Sequence, residues 1–521
     1  MKNICLLALA LASGCNTSQK TISETATNVV DVVVDPTVYA QTITEEELKD
    51  HLYTYASDEF EGRETGEPGQ KMAVDYLKAA YEAMEVPAAK RNGNYLQEVP
   101  LEMAKLPIGS IKVDEQSFEV GEAFLSFSAA EGHYNEIVYL AYGIEEDNYS
   151  DYQGMDVKDK VVLIKSGEPK AEDGTYKVSG TNKKSIWSNN SESLEKRLLA
   201  AKNNGAKAIL YFDPANYNRF KRYFSFMKSN GTGRMDLKKS NGDPSLIMLT
   251  EEMAKSLLAE IETLDKAQVL ERSVDLGLQS ANIEIPSENV VAYIQGFEKP
   301  DEYLVISSHL DHIGISSNGK INNGADDDGS GTVAMLEIAE AFKKAVDTGN
   351  GPKRSIVFLH VTGEEKGLLG SQYYTDVNPV FPLSQTVANL NIDMIGRIDP
   401  KREGSREYIY LIGSDKLSQD LHQLSEQVNE RYTQLELDYA YNDENDPNRF
   451  YYRSDHYNFA KNNIPIIFYF NGTHEDYHRP GDTPDKINYD LLTQRTQLIF
   501  HTAWEIANRD ERVIVDNEIS K

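Results

Sequence analysis

Cysteine is nearly absent from this 521-residue chain: the only two are Cys5 and Cys15. Beyond residue 15 a disulfide framework is excluded, and so is any metal site built on thiolates. A bound metal would have to be held by histidine and carboxylates. Long apolar runs are also missing: past the N-terminus no segment approaches the ~18 consecutive apolar residues of a membrane-crossing helix. Positive charge is in deficit, with 53 Lys and Arg against 83 Asp and Glu, a net charge of −30. That balance argues against nucleic-acid binding, because phosphate backbones attract Lys/Arg surfaces. It reads as solubility, with attraction of cationic substrates as the functional alternative. There is no internal repeat and no low-complexity tract. The apolar and charged fractions, 40% and 26%, are those of a soluble globular protein long enough for two or more domains.

The N-terminus reads as a targeting segment. Lys2 supplies a short positive region, and residues 4–12 form an apolar stretch too short to span a bilayer. Leu11-Ala12-Ser13-Gly14-Cys15 resembles a bacterial lipoprotein processing site, with Ala12 standing where such sites usually carry Leu. The expectation is a signal peptide over 1–15 and a lipid anchor at Cys15, placing the protein outside the cytoplasm on the bacterial envelope. Cleavage nearby by ordinary signal peptidase is the alternative. Residues 16–41, rich in Thr, Ser, Asn and Val without helical period, read as a tether.

The folded chain opens with a helix capped by Thr44, with Glu47 completing a capping box. After Gly66 and Gly69 a second helical stripe follows: Met72, Tyr76, Leu77, Ala80, Tyr81 and Met84. Residues 111–285 differ in texture, with strands expected at 161–164 and 208–212 around a helix at 194–204 closed by Gly205. From 286 the pattern is strand, loop, helix, repeated: strands at 303–308, 355–361, 387–392 and 465–470, with an apolar helical stripe from Val333 to Val346. This predicts an α/β fold with a mostly parallel central sheet and helices on both faces. One domain is expected over 42–110 and 286–510, interrupted by 111–285 and followed by a tail at 511–521.

Residues fit to hold metal stand in order just past those strands: His309, Asp327, the pair Glu364–Glu365, Asp393 and His478. In such sheets ligands bind outside the carboxyl ends of the strands. Imidazoles and carboxylates in this number suit two closely spaced zinc ions, with one carboxylate left over as a base. The Asp326-Asp327-Asp328-Gly329 turn lacks the alternating oxygen ligands of a Ca²⁺ loop. His360, inside an apolar strand, reads as structural. His312 reads as a neighbour of the ligands or a pocket wall, and Asp455 and His456 as pocket lining or a surface turn.

Five motifs, "SSHLDH", "GADDDGSG", "TGEEKGLLGS", "NIDMIG" and "DYHRPGDT", together resemble the di-zinc aminopeptidases. That superfamily also holds the glutamate carboxypeptidases and the non-catalytic transferrin receptor. "NNGAKAILY" and its surroundings resemble the protease-associated (PA) domain, inserted in many members. The resemblance implies that Asp327 bridges two zincs, that His309 and Asp393 complete one, and that Glu365 and His478 complete the other. It implies Glu364 as general base and Tyr477 as a hydroxyl that stabilises the tetrahedral oxyanion. Asp311 is expected to accept the N–H of the His309 ring. The implied function is a zinc exopeptidase acting on peptides, foremost an aminopeptidase. A glutamate-carboxypeptidase-like enzyme, with Arg453 and Arg479 as candidate carboxylate donors, a one-zinc glutaminyl cyclase and a non-catalytic binding protein remain alternatives.

Overall fold

The computed structural model describes residues 34–188, 192–231, 233–238 and 242–517. The expected signal peptide, Cys15 and the tether up to residue 33 lie outside the described residues. Among the described residues no helix is long and apolar enough to cross a membrane.

The principal sheet has nine strands: β1 (Leu96–Ala104), β2 (Arg234–Leu237), β3 (Ile283–Ile294), β4 (Lys299–His309), β5 (Arg354–Val361), β6 (Thr386–Ile392), β7 (Tyr408–Ile412), β8 (Glu436–Asp438) and β9 (Ile466–Phe470). Their spatial order is β2-β1-β3-β5-β4-β6-β9-β7-β8. The expected parallel strands are found at the centre, β5-β4-β6-β9, and in the pair β7-β8, but the sheet as a whole is mixed. Antiparallel pairs join β2 to β1, β1 to β3, β3 to β5 and β7 to β9. The central strands are buried at every position from Tyr303 to His309 and from Ile466 to Phe470, so their sequences run apolar without alternation.

Helices Gly331–Asp347 and Tyr489–Asn508 cover one face, with Phe342, Phe500 and Trp504 in ring contact. Short helices Leu369–Gln372 and His456–Ala460 lie toward the other face, where Tyr374, Phe459 and Ala460 pack on Val305, Val357 and Ile466. The helix Glu45–Tyr55 starts as its sequence dictates: Thr44 Oγ1 accepts the N–H of Glu47 at 3.2 Å and donates to the Glu47 carboxylate at 2.7 Å.

Two expected boundaries move. The tether does not reach residue 41, because Thr37–Ala40 is a helical turn and Tyr39 stacks on Trp504 with ring centroids 5.6 Å apart. The tail is not free from 511: Val513 is buried, and the Ile514 N–H donates to Asp420 at 3.2 Å. Between β1 and β3, residues 108–279 build three further sheets, of six, four and two strands, with apolar cores of their own. In the six-stranded sheet Val161–Lys165 and Ala208–Phe212 run side by side and parallel. One strand of this stretch, β2, leaves it and pairs with β1.

Candidate metal centre

Four neighbouring parallel strands deliver the site. His309 ends β4, Asp393 follows β6 directly, Glu364 and Glu365 stand just past β5, and His478 lies beyond β9. Asp327 comes from the turn ahead of helix Gly331–Asp347, where the Asp327–Asp328 peptide is cis. Main-chain polarity is satisfied around this turn by carboxylates. Asp482 accepts the N–H groups of Asp326 and Asp327, at 3.0 and 3.1 Å. Asp328 accepts from the N–H groups of His309, Gly331 and Met394 at 3.1, 3.0 and 3.2 Å, tying three segments together. Asp326 accepts from the Gly396 N–H at 2.7 Å. Asp328 is thus taken up by backbone donors, and Asp326 by the Gly396 N–H together with the side chains of Ser330, Asn471 and His474.

Asp327 is left to face two groups of donors. On one side the His309 Nε2 lies 3.2 Å from Asp327 Oδ1 and 3.6 Å from Asp393 Oδ1. On the other, His478 Nε2 lies 3.1 Å from Asp327 Oδ2 and 3.2 Å from Glu365 Oε2. One donor atom from each of His309, Asp327 and Asp393 falls within 4.8 Å of the others, and the same holds for His312, Asp327 and Glu365. Most of these atoms make no hydrogen bond: His309 Nε2, both His312 nitrogens, Asp327 Oδ2 and Glu365 Oε1 are buried without a partner among the described residues. Buried polar atoms are rarely left unmet, so lone pairs converging in this way fit cations held between them. Histidine nitrogens with carboxylate oxygens, and no sulfur, suit Zn²⁺.

The expected ring partner of His309 is corrected. His309 Nδ1 donates to the main-chain carbonyl of Asp311 at 3.0 Å, not to its carboxylate. The carboxylate is turned away: it accepts from the Glu364 N–H at 3.1 Å and the Thr65 hydroxyl at 2.7 Å. Glu364 and Glu365 diverge because they stand in a turn. After Gly363 (φ 67°) the backbone turns, with the N–H groups of Gly367 and Leu368 both donating to the Glu364 carbonyl at 2.9 Å. Glu364 thereby lines a cleft with Asp327, Asp393, Tyr477 and His478, while Glu365 faces the imidazoles.

Burial holds the Glu364 carboxyl well above the usual carboxylate range, with Glu365, Asp393 and Asp455 adding to the effect against His309. Burial lowers the His478 imidazole, but pairing with Asp327 and Glu365 overrides it and raises the ring to about 10. Tyr477 stacks on His478 with centroids 3.9 Å apart, and its hydroxyl accepts from Arg453 at 3.5 Å. Of the two candidate cations, Arg453 lines the cleft and Arg479 does not. Phe450, Phe470 and Met394 form the apolar wall.

Asp455 and His456 are not on a surface turn, since both are fully buried. Asp455 accepts from the Ser371 hydroxyl, and burial pushes its carboxyl up to about 7. His456 is bonded to the Tyr451 carbonyl at 2.8 Å and stacks on Phe468. His360 is structural in geometry, with Tyr81 and Ser308 hydroxyls at 2.8 and 3.0 Å from its two nitrogens. Sequence reasoning missed Arg63, whose buried guanidinium donates to the carbonyls of Asn323 and Gly324 at 2.6 and 2.8 Å and so holds the loop ahead of Asp327. It also assigned nothing to Asp482, although the residue stands inside one of the five motifs.

The chain is similar to several known peptidases. A probable leucine aminopeptidase of Arthroderma otae is 27% identical over 323 residues, covering 56% of this chain and 78% of its own length. A probable glutamate carboxypeptidase of Arabidopsis thaliana is 36% identical over 106 residues, but this chain spans only 14% of its length. Among solved structures, an aminopeptidase from Aneurinibacillus sp. strain AM-1 is similar at TM-score 0.46 and 18% identity, over 93% of this chain and 98% of that one. Residues 289–503 match a known family along nearly the whole run from β3 to helix Tyr489–Asn508. That stretch, which carries the cleft, is similar to Peptidase family M28.

Proposed function

We propose that the protein is a zinc-dependent exopeptidase, acting as an aminopeptidase on peptides with a free N-terminus. The observation that carries this reading is the pair of buried donor groups sharing Asp327, with Glu364 lining the same cleft. His309, Asp327 and Asp393 would hold one zinc, and Asp327, Glu365 and His478 the other. Bound there, zinc supplies Lewis acidity toward a scissile carbonyl and makes water a stronger acid. Glu364 takes the proton of the attacking water and returns it to the leaving amine. The Tyr477 hydroxyl, placed in the cleft wall, donates toward the oxygen on which charge develops.

Arg453 in the cleft favours a second reading, a carboxypeptidase that grips a substrate carboxylate. One peptide offered in three forms separates them: free, N-acetylated and C-amidated, each with zinc and again after chelation. An aminopeptidase cleaves the free and C-amidated forms and refuses the acetylated one. Refusal of only the amidated form selects the carboxypeptidase, and cleavage of none sinks both. A glutaminyl cyclase with one catalytic zinc would show one ion per chain instead of two.

We also propose that residues 108–279 are a protease-associated insert and that the protein is lipid-anchored through Cys15. The first is supported by the two adjacent parallel strands around a helix, the second by the sequence pattern alone. Cys15→Ser should release the protein from the membrane fraction; retention there would refute the anchor.

A further inference from the structure

We infer that His312 is a further donor in the second of these pockets, so that one ion is held by two imidazoles, those of His312 and His478, together with Glu365 and the shared Asp327. The inference rests on the two-cation reading above and adds a residue to it.

His312 is wholly buried, three residues beyond His309. Its Nδ1 lies 2.8 Å from Glu365 Oε1 and 3.9 Å from Asp327 Oδ2, the same two carboxylates that the His478 ring approaches at 3.2 and 3.1 Å. The two rings meet edge to face, with centroids 5.8 Å apart and planes at 70°, so they reach the carboxylate pair from different directions. Four donors about 2.0–2.1 Å from one ion in a tetrahedron stand about 3.3 Å apart, and the four separations above, which reach both oxygens of Glu365, fall on either side of that value.

Neither nitrogen of His312 makes a hydrogen bond of ordinary geometry, although Nδ1 is in ion-pair contact with Glu365 Oε1; Glu365 Oε1 and Asp327 Oδ2 make none either. A buried imidazole so poorly bonded is costly unless something else satisfies it, and an ion would meet the nitrogen that faces the carboxylates. His360, equally buried, has both nitrogens bonded to hydroxyls. The contrast is between a histidine that fills the core and one aimed at an electrophile.

The His312 ring is also clamped. Its main-chain N–H donates to the Arg63 carbonyl at 3.2 Å. Gly324, at φ 56°, presses on the ring so closely that an added Cβ would lie 2.6 Å from the ring carbons Cγ and Cδ2. A side chain held this firmly is pre-organised for ligation.

The two pockets are then unequal. His309, Asp327 and Asp393 give three donors to one ion, against four for the other. A nitrogen-preferring divalent cation such as Zn²⁺ or Co²⁺ should therefore leave the first pocket before the second.

The test uses the full chain as His312→Ala and His312→Gln, with circular dichroism to verify the fold. Zinc content is titrated against a graded chelator, and the visible spectrum of the cobalt-loaded protein is recorded. The wild type is expected to release its ions in two steps. The variants should lose at least about tenfold in affinity at the tighter step alone, with a changed cobalt band. Folded variants that keep both steps and the wild-type cobalt spectrum would overturn the assignment. Should the variants misfold, zinc-edge X-ray absorption of singly loaded wild type decides: two imidazoles per ion are expected, and one would overturn it. Failure of the underlying reading looks different, because the wild type would then bind no ions.

Discussion

The carboxylate of Asp311 accepts the main-chain N–H of Glu364 at 3.1 Å while the carbonyl of the same residue accepts the His309 ring at 3.0 Å. One residue therefore sets both the orientation of an imidazole and the position of Glu364, the proposed acid–base group. Asp311→Asn replaces one acceptor oxygen with a donor, which faces either the Glu364 N–H or the Thr65 hydroxyl. We expect both ions to remain and kcat to fall about 10- to 100-fold. Steady-state kinetics paired with elemental analysis checks this; an unchanged kcat would mean that the turn after Gly363 holds Glu364 unaided.

Glu364→Ala should bind two zinc ions as the wild type does and lose the chemical step. A positioned acid–base group contributes about 10²–10⁴ in rate, so kcat should drop by that order. Substantial turnover in the zinc-loaded variant would remove Glu364 as the base.

Asp327→Ala should behave in the opposite manner. Both donor groups include this carboxylate, so metal content after dialysis should fall at both positions, with activity lost as a consequence. Two ions retained at wild-type affinity would show that the bridge lies elsewhere.

A stability test falls outside the cleft. Glu337, on helix Gly331–Asp347, is 2% exposed, with Oε2 unpartnered and the His51 ring 3.5 Å from Oε1. Burial pushes its carboxyl from 4.5 to about 8, with Glu47 and Glu340 adding and Lys344 opposing. The folded state thus keeps a proton that the unfolded chain gives up. The stability is full below about pH 4.5 and is lost as pH rises through 8. At about 1.4 kcal/mol per pK unit the loss amounts to about 5 kcal/mol at most. Glu337→Gln should flatten that window, so unfolding midpoints at pH 5 and pH 8.5 should diverge in the wild type more than in the variant. Equal slopes would show that Glu337 ionises freely in the fold.

The metal-facing residues were legible because chemistry fixes their type and topology fixes their place: His309 and Asp393 stand directly at strand ends, where an α/β sheet collects ligands. What supports them was not. Nothing in the sequence distinguishes the carbonyl of Asp311 from its carboxylate as the ring's partner, since both belong to one residue. Arg63 sits some 260 positions from the carbonyls it holds, and local spacing carries no record of such a contact. The mixed character of the sheet was hidden for a related reason. β1 is buried on alternate positions from Gln97 to Leu101, a pattern that speaks of a half-covered strand but not of its direction. Tyr39 was lost in a polar stretch because a four-residue helix has too few positions to display a period.

The short strand β2 has an engineering consequence. It arises in the middle of residues 108–279 yet forms the outer border of the nine-stranded sheet, pairing with β1 from Leu101 to Ala104. Replacing 108–279 by a short linker would therefore uncover β1, presenting a row of unmet amides to any extended chain in solution. Self-association of such a truncated protein is the expected hazard, and a lysine or proline placed on the bared side of β1 is the remedy that strand chemistry recommends.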